Sequence, residues 1–158
     1  MRCVAYVDGS FTVAKDPVTN EEVGVYGSGM YLIMEGQDMP LELQASGSDS
    51  NLSKLRNVAG EMMACCQVVT FLQENYPQYD VIEFYYDYQG IECWVTGEWR
   101  AKLPETQAYR EIMRKAKETI KIKFVKVKAH NGVIYNERAD RLAKDAVNKH
   151  IISMGLVG

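Results

Sequence analysis

Histidine, cysteine and long apolar runs are all scarce in this chain. Among its 158 residues there are two histidines and four cysteines, and no CxxC pair. Cys65 and Cys66 are adjacent, which suits neither a disulfide framework nor a zinc knuckle. The four cysteines therefore read as reduced thiols packed as small hydrophobes, in a cytoplasmic protein. No stretch of eighteen apolar residues exists, so no helix should span a membrane. No signal-peptide pattern precedes the first apolar stretch. Internal repeats, low-complexity tracts and long linkers are absent too, so residues 1–158 are expected to form one domain. A domain of this size buries roughly two-thirds of its unfolded surface.

The net charge of −3 argues mildly against nucleic-acid binding, but the distribution does not. Between Arg100 and Lys128 there are ten Lys or Arg against three Glu. That segment is a candidate footprint on a phosphate backbone, or simply a solvated basic face.

The informative stretch opens the chain. Val4-Ala5-Tyr6-Val7 runs into Asp8, Gly9 and Ser10. An apolar run without polar alternation predicts a strand buried on both faces, with Asp8 at its end. Thr12 to Glu22 is polar, with turn signals at Asp16-Pro17 and Thr19-Asn20. Val23–Glu35 and Leu41–Ala45 read as two more strands, completing an antiparallel meander. Ser46 to Ser53 reads as a loop. Val58, Met62, Cys65, Val69 and Leu72 recur at helical spacing, with Asn57 as the expected N-cap. Glu61 falls on the apolar stripe of that helix, a costly place for an acid without a partner or a metal.

Val81 to Asp87 repeats the opening theme. A helix between two apolar strands makes a crossover, so this strand should run parallel to the first. Asp8 and Asp87 would then share the carboxyl edge of the sheet, where open α/β sheets bind ligands. A short helix carrying Trp94 follows, then a helix from Pro104 to about Thr119. Ile120–Lys128 alternates and then changes phase at Val125, which suggests a bulged strand. Asn136 is the expected cap of a last helix running to about His150. On it, Asp140 shares a stripe with Ala143 and Val147, as Glu61 does on the first helix.

Two acids end neighbouring strands, and two more lie on sheet-facing helical stripes. Crowded carboxylates raise one another's pKa, and divalent metal removes that cost. Oxygen donors without Cys or clustered His select Mg²⁺, with Mn²⁺ as the alternative. A carboxylate cluster holding two such ions about 4 Å apart suits phosphodiester hydrolysis.

These residues resemble the type 1 ribonuclease H family over nearly the whole chain. The resemblance rests on Tyr6-Val7-Asp8-Gly9-Ser10, Asn57-Val58-Ala59-Gly60-Glu61, Tyr86-Asp87-Tyr88-Gln89 and His130-Asn131-Gly132, then Asn136-Glu137-Arg138-Ala139-Asp140. It implies an RNase H-like fold: a mixed five-stranded sheet, three strands antiparallel then two parallel, flanked by helices. It also implies endonucleolytic cleavage of the RNA strand of an RNA–DNA hybrid, leaving 3′-hydroxyl and 5′-phosphate ends. Asp8, Glu61, Asp87 and Asp140 would hold two Mg²⁺ ions, and His130 would assist proton transfer or product release. Gly9, Ser10, Asn57, Gln89 and Asn136 match substrate-contact positions. Trp94 or Trp99 would meet the DNA strand, with at least one of them in the core. The implied partner is the hybrid alone, bound by a monomer with no obligate protein partner.

The sequence departs from the family in four places. Val58 stands where a second Asn is frequent, and Tyr88 where Ser is frequent. Phe11-Thr12-Val13-Ala14 replaces a Gly-Asn-Pro-Gly loop. The basic handle of some bacterial members is missing after Trp99. Because the chain opens directly on its first strand, it is also expected to be able to serve as the catalytic domain of a longer protein. Two other readings compete: a fold relative that cuts DNA, and an inactive hybrid-binding domain. The complete His130-to-Asp140 motif opposes the first, and retention of all four acids opposes the second.

Overall fold

A computed structural model of the protein describes residues 1–128 and 134–158. Three strands come first: β1 (Arg2–Lys15), β2 (Glu22–Met34) and β3 (Leu41–Gly47). They form the expected antiparallel meander. A one-turn helix, α1 (Ser50–Ser53), and the long α2 (Asn57–Asn75) lead to β4 (Val81–Tyr86). Then follow α3 (Gly90–Thr96), α4 (Pro104–Ala116), β5 (Lys121–Lys126) and α5 (Ile134–Ser153). The sheet order is β3-β2-β1-β4-β5, with β4 parallel to both β1 and β5. This is the expected RNase H-like topology.

Strand β1 is central and pairs on both edges. Its burial alternates, which corrects the expectation of two equally buried faces. Cys3, Ala5 and Val7 are buried on the core side, while Val4 and Tyr6 are only partly covered. The core lies between this side and helix α2, whose Met62, Cys65, Val69 and Leu72 meet Met30, Leu32, Ile82 and Phe84. Helix α5 covers β1, β2 and β3 on the opposite face. Tyr135 of α5 caps the Tyr6 and Tyr31 rings at centroid distances of 5.3 and 5.2 Å.

Several boundaries differ from the sequence reading. Thr12–Lys15 continue β1 rather than opening a loop, and pair residue for residue with β2 as far as Lys15 opposite Glu22. Phe11 anchors this half of the strand, with the Arg56 guanidinium 5.0 Å from its ring centre. The turn itself is confined to Asp16–Glu21, where the Asp16 carboxylate accepts from the N–H groups of Val18 and Thr19. The Ser46–Ser53 loop contains α1, capped by Asp49. Asn57 does not cap α2. It is the first helical residue, and Arg56 takes the cap position at φ 57° without a side-chain bond. Asn136 likewise lies inside the first turn of α5, which extends to Ser153.

Strand β5 has no bulge. Val81 to Tyr86 pair one-to-one with Lys121 to Lys126. Its change of phase has another cause: Phe124 takes an inward position, Val125 is exposed, and Lys126 returns toward the acids. Among the described residues, no helix is long and apolar enough to cross a membrane.

Candidate active site

Asp8 lies in the middle of β1, the seventh of its 14 residues, and not at the strand's end as expected, because β1 continues to Lys15; Asp87 directly follows β4. Because Tyr6 and Tyr85 are parallel partners, the two aspartates lie side by side, Asp87 just past the carboxyl end of β4 and Asp8 beside it within β1. Asp8 Oδ1 accepts the N–H of Gly9 at 2.9 Å.

Helix α2 brings in the third acid. It can do so only because Gly9 lacks a side chain: a Cβ there would lie 2.0 Å from Asn57 O and 2.5 Å from Glu61 N. Gly60 presses on Gly27 in the same way, and the Ser28 hydroxyl donates to the Gly60 carbonyl. Glu61 is consequently 3% exposed. Its two oxygens are held by the main chain beyond β4, accepting from Asp87 N–H and Tyr88 N–H at 3.0 Å each.

The fourth acid arrives from the other face. Asp8 pairs with Gly29 across the sheet, and α5 lies directly over that glycine. Asp140 on α5 is thereby brought near enough to Asp8 to raise it, and Lys144 Nζ pairs with Asp140 at 2.9 Å.

The electrostatics follow from this crowding. Burial pushes the Asp8 carboxyl up to about 8, helped by the charge of Glu61 and by Asp140; the Gly9 N–H opposes. Burial also raises Glu61, to about 7, against the two N–H bonds and the opposing charge of Lys126. The Lys144 ammonium is held above its ordinary range by Asp140 first and Asp8 behind it.

The donor set is hard oxygen throughout, and its surplus negative charge is what a divalent cation would neutralise. In this respect Asp8, Glu61, Asp87 and Asp140 fit Mg²⁺ or Mn²⁺. They do not stand as a closed ligand shell: among the described residues, no three Asp, Glu, His or Cys side chains are disposed around one ion. Glu61 is turned to two N–H groups and Asp140 to Lys144, so metal entry requires these partners to share or give way.

The raised acids make stability depend on pH. Folded Asp8 and Glu61 keep protons that the unfolded chain releases, so the folded state binds more protons and stability falls as pH rises. The windows run from 3.8 to about 8 for Asp8 and from 4.5 to about 7 for Glu61. With chelator present, the melting temperature should drop between pH 5 and 8. Added Mg²⁺ should offset most of that drop, raising Tm more at pH 8 than at pH 5. Thermal melts across this range check it, and a flat chelated profile would contradict the assignment of strain to the cluster.

The remaining expected residues surround this edge. Gly9 is sealed by α2, leaving only its backbone available. Ser10 is partly buried on β1, Asn57 is exposed at the start of α2, Gln89 is exposed before α3, and Asn136 is half-buried on α5. His130 lies outside the described residues. Trp94 belongs to the core, 9% exposed, while Trp99 is 37% exposed beside the 39% exposed Tyr88. Two residues escaped the sequence reading. Lys144 was visible only as a base four residues after Asp140, and Lys126 only as part of a lysine-rich strand.

A sequence model of the family described as RNase H matches residues 2–148. No curated protein sequence matches the chain significantly. The fold is shared with RNase H1 from the halophilic archaeon Halobacterium salinarum NRC-1, with TM-score 0.70 and 22% identity over 94% of this chain and 99% of that one. It is shared with LC11-RNase H1, solved in complex with an RNA/DNA hybrid, with TM-score 0.72 and 20% identity over 94% and 99% of the two chains. The N-terminal RNase H domain of a Mycobacterium tuberculosis protein aligns with TM-score 0.68 and 16% identity over 97% and 98%. With the family model spanning nearly the full length, the chain belongs to the RNase H family, as a ribonuclease H and a nuclease hydrolase.

Proposed function

We propose that the chain is an endonuclease that hydrolyses the RNA strand of RNA–DNA hybrids, leaving 3′-hydroxyl and 5′-phosphate ends. Residues 1–158 act as a single catalytic domain, working as a monomer. Four carboxylates converging from β1, α2, the end of β4 and α5 carry this reading. Asp8, Glu61, Asp87 and Asp140 would hold two Mg²⁺ ions, with Mn²⁺ as a substitute. When bound, such ions activate a water and stabilise the leaving oxygen.

The protein's own residues prepare the site for that chemistry. Asp8, within β1, and Asp87, just past the end of β4, would face the scissile phosphate from adjacent strands. Glu61 fixes the backbone at Asp87 and Tyr88, so the end of β4 does not fray. His130 would assist proton transfer or product release, in keeping with the family resemblance. Asn57, Gln89 and Asn136 flank the edge, with the backbone of Gly9 and Ser10, where side chains reach a minor groove. RNA displays its 2′-hydroxyls there, which is how a protein distinguishes it from DNA. Trp99, exposed where Trp94 is buried, would be the tryptophan that meets the DNA strand. The four thiols are free, and burial pushes Cys3 and Cys66 up to about 12, which suits a reducing compartment such as the cytoplasm.

Three matched labelled duplexes, RNA–DNA, RNA–RNA and DNA–DNA, test the reading with Mg²⁺ and with chelator. Cutting should be confined to the RNA of the hybrid and should vanish with chelator. Tight hybrid binding without any cutting would replace the enzyme by a binding domain. Cutting of the all-DNA duplex would move the chain to another branch of the fold.

A further inference from the structure

Helix α5 carries two ion pairs of nearly identical geometry. Lys144 meets Asp140 at 2.9 Å and Lys149 meets Asp145 at 2.8 Å, both at i,i+4. Such exposed pairs are individually weak and usually need no further explanation. Their surroundings differ, however. Among the described residues, Asp145 has Gln44 as its further partner. Asp140 acts on Asp8 across the α5 face of the sheet, Asp8 in turn feels the charge of Glu61, and Glu61 feels that of Asp87. Lys144 is thus the cation in direct contact with a connected set of four acids. Lys126 acts on the same set from the β5 side, at Glu61.

We propose that Lys144 is a tethered counter-ion for the acid cluster: it holds Asp140 in the metal-free protein and must release it when a divalent cation enters, so it lowers the cluster's affinity for metal. This rests on the metal-binding reading given above. A bound ion and the ammonium compete for one carboxylate, and their like charges repel. Once displaced, the ammonium has room. Lys144 lines an open groove of about 720 Å³, with Ser10, Thr12 and Asn148 as its polar border and Val147 and Ile151 as its apolar one. The device lets four acids fold together without metal, at the cost of weaker loading.

The test is a Mg²⁺ titration of substrate-free protein, followed through the amide resonances of Gly9 and Asp87. Variants are Lys144→Met, Lys144→Arg and, as a matched control, Lys149→Met. Removing the positive charge that competes for Asp140 should lower the Kd about tenfold for Lys144→Met. Lys144→Arg should stay near wild type, and Lys149→Met should not move. A structural pair could only leave the affinity unchanged or weaken it. Equal or weaker Mg²⁺ binding by Lys144→Met would overturn the inference and leave the proposed function standing. Absence of any Mg²⁺ response in the wild type would overturn both, and would be matched by inactivity on the hybrid.

Discussion

Replacing Asp8 by Asn should abolish cleavage and make the metal-free protein more stable. The amide retains the oxygen that accepts the Gly9 N–H, so the local backbone keeps its bond. It loses the charge on which metal binding depends. Metal-based stabilisation is worth several kcal/mol at the transition state, so turnover should drop by about a thousandfold or more. Stability should move the other way, because the buried carboxyl raised to about 8 no longer has to ionise beside Glu61 and Asp140. A gain on the order of 1–2 kcal/mol at pH 8 corresponds to about 2–8 °C in Tm. The gain should shrink toward pH 5, where wild-type Asp8 already holds its proton. Hybrid-cleavage assays and chelated melts at both pH values read the two effects together. Wild-type turnover in this variant would sink the active-site assignment, and an unchanged Tm would remove the repulsion argument.

Gly29→Ala should cripple the protein from a position that bears no chemistry. The added Cβ would lie 1.9 Å from Ala139 O and 2.6 Å from Ala143 N, both backbone atoms of α5. No rotamer change relieves a clash between two backbones, so the helix must shift as a body. Overpacking of this kind costs about 3 kcal/mol, equivalent to roughly 6–12 °C of Tm. Asp140 adjoins Ala139 and moves with it. A displacement near 1 Å in a catalytic group costs about a hundredfold in rate. Protein that still folds should therefore be nearly inactive while its Asp8–Glu61–Asp87 side stays native. Gly158→Ala, whose Cβ would meet only Ile151 at 3.9 Å, serves as the neutral comparison. Wild-type melting for Gly29→Ala would show that α5 is less tightly docked than described.

Much of this arrangement was legible from residue order. Apolar runs leading into Asp8 and Asp87, with a helical stripe between them, already implied parallel neighbours with acids side by side. Glu61 and Asp140 stood out as charges on apolar stripes. What escaped depended on contacts distant in sequence. Nothing local says that Phe11 lies under Arg56, which is why β1 outlasts its own polar composition. The phase change at Val125 resembles a bulge until Lys126 is seen to return toward Glu61. The glycines at 9, 27, 29 and 60 carry no periodic signal, yet they set how closely α2 and α5 approach the sheet.

The two N–H bonds of Glu61 bear on how a substrate complex can be trapped. An inactive enzyme for such work should differ from the native one only in charge. At Asp8 an amide meets that demand, since one oxygen keeps its donor. At Glu61 both oxygens face donors, so Glu61→Gln must point an NH₂ group at the N–H of Asp87 or Tyr88. Two donors would then oppose one another inside a buried site, and the end of β4 would be pushed from its place. A complex captured with that variant would report a distorted cleft, and the isosteric swap that is benign on the strand is disruptive on the helix.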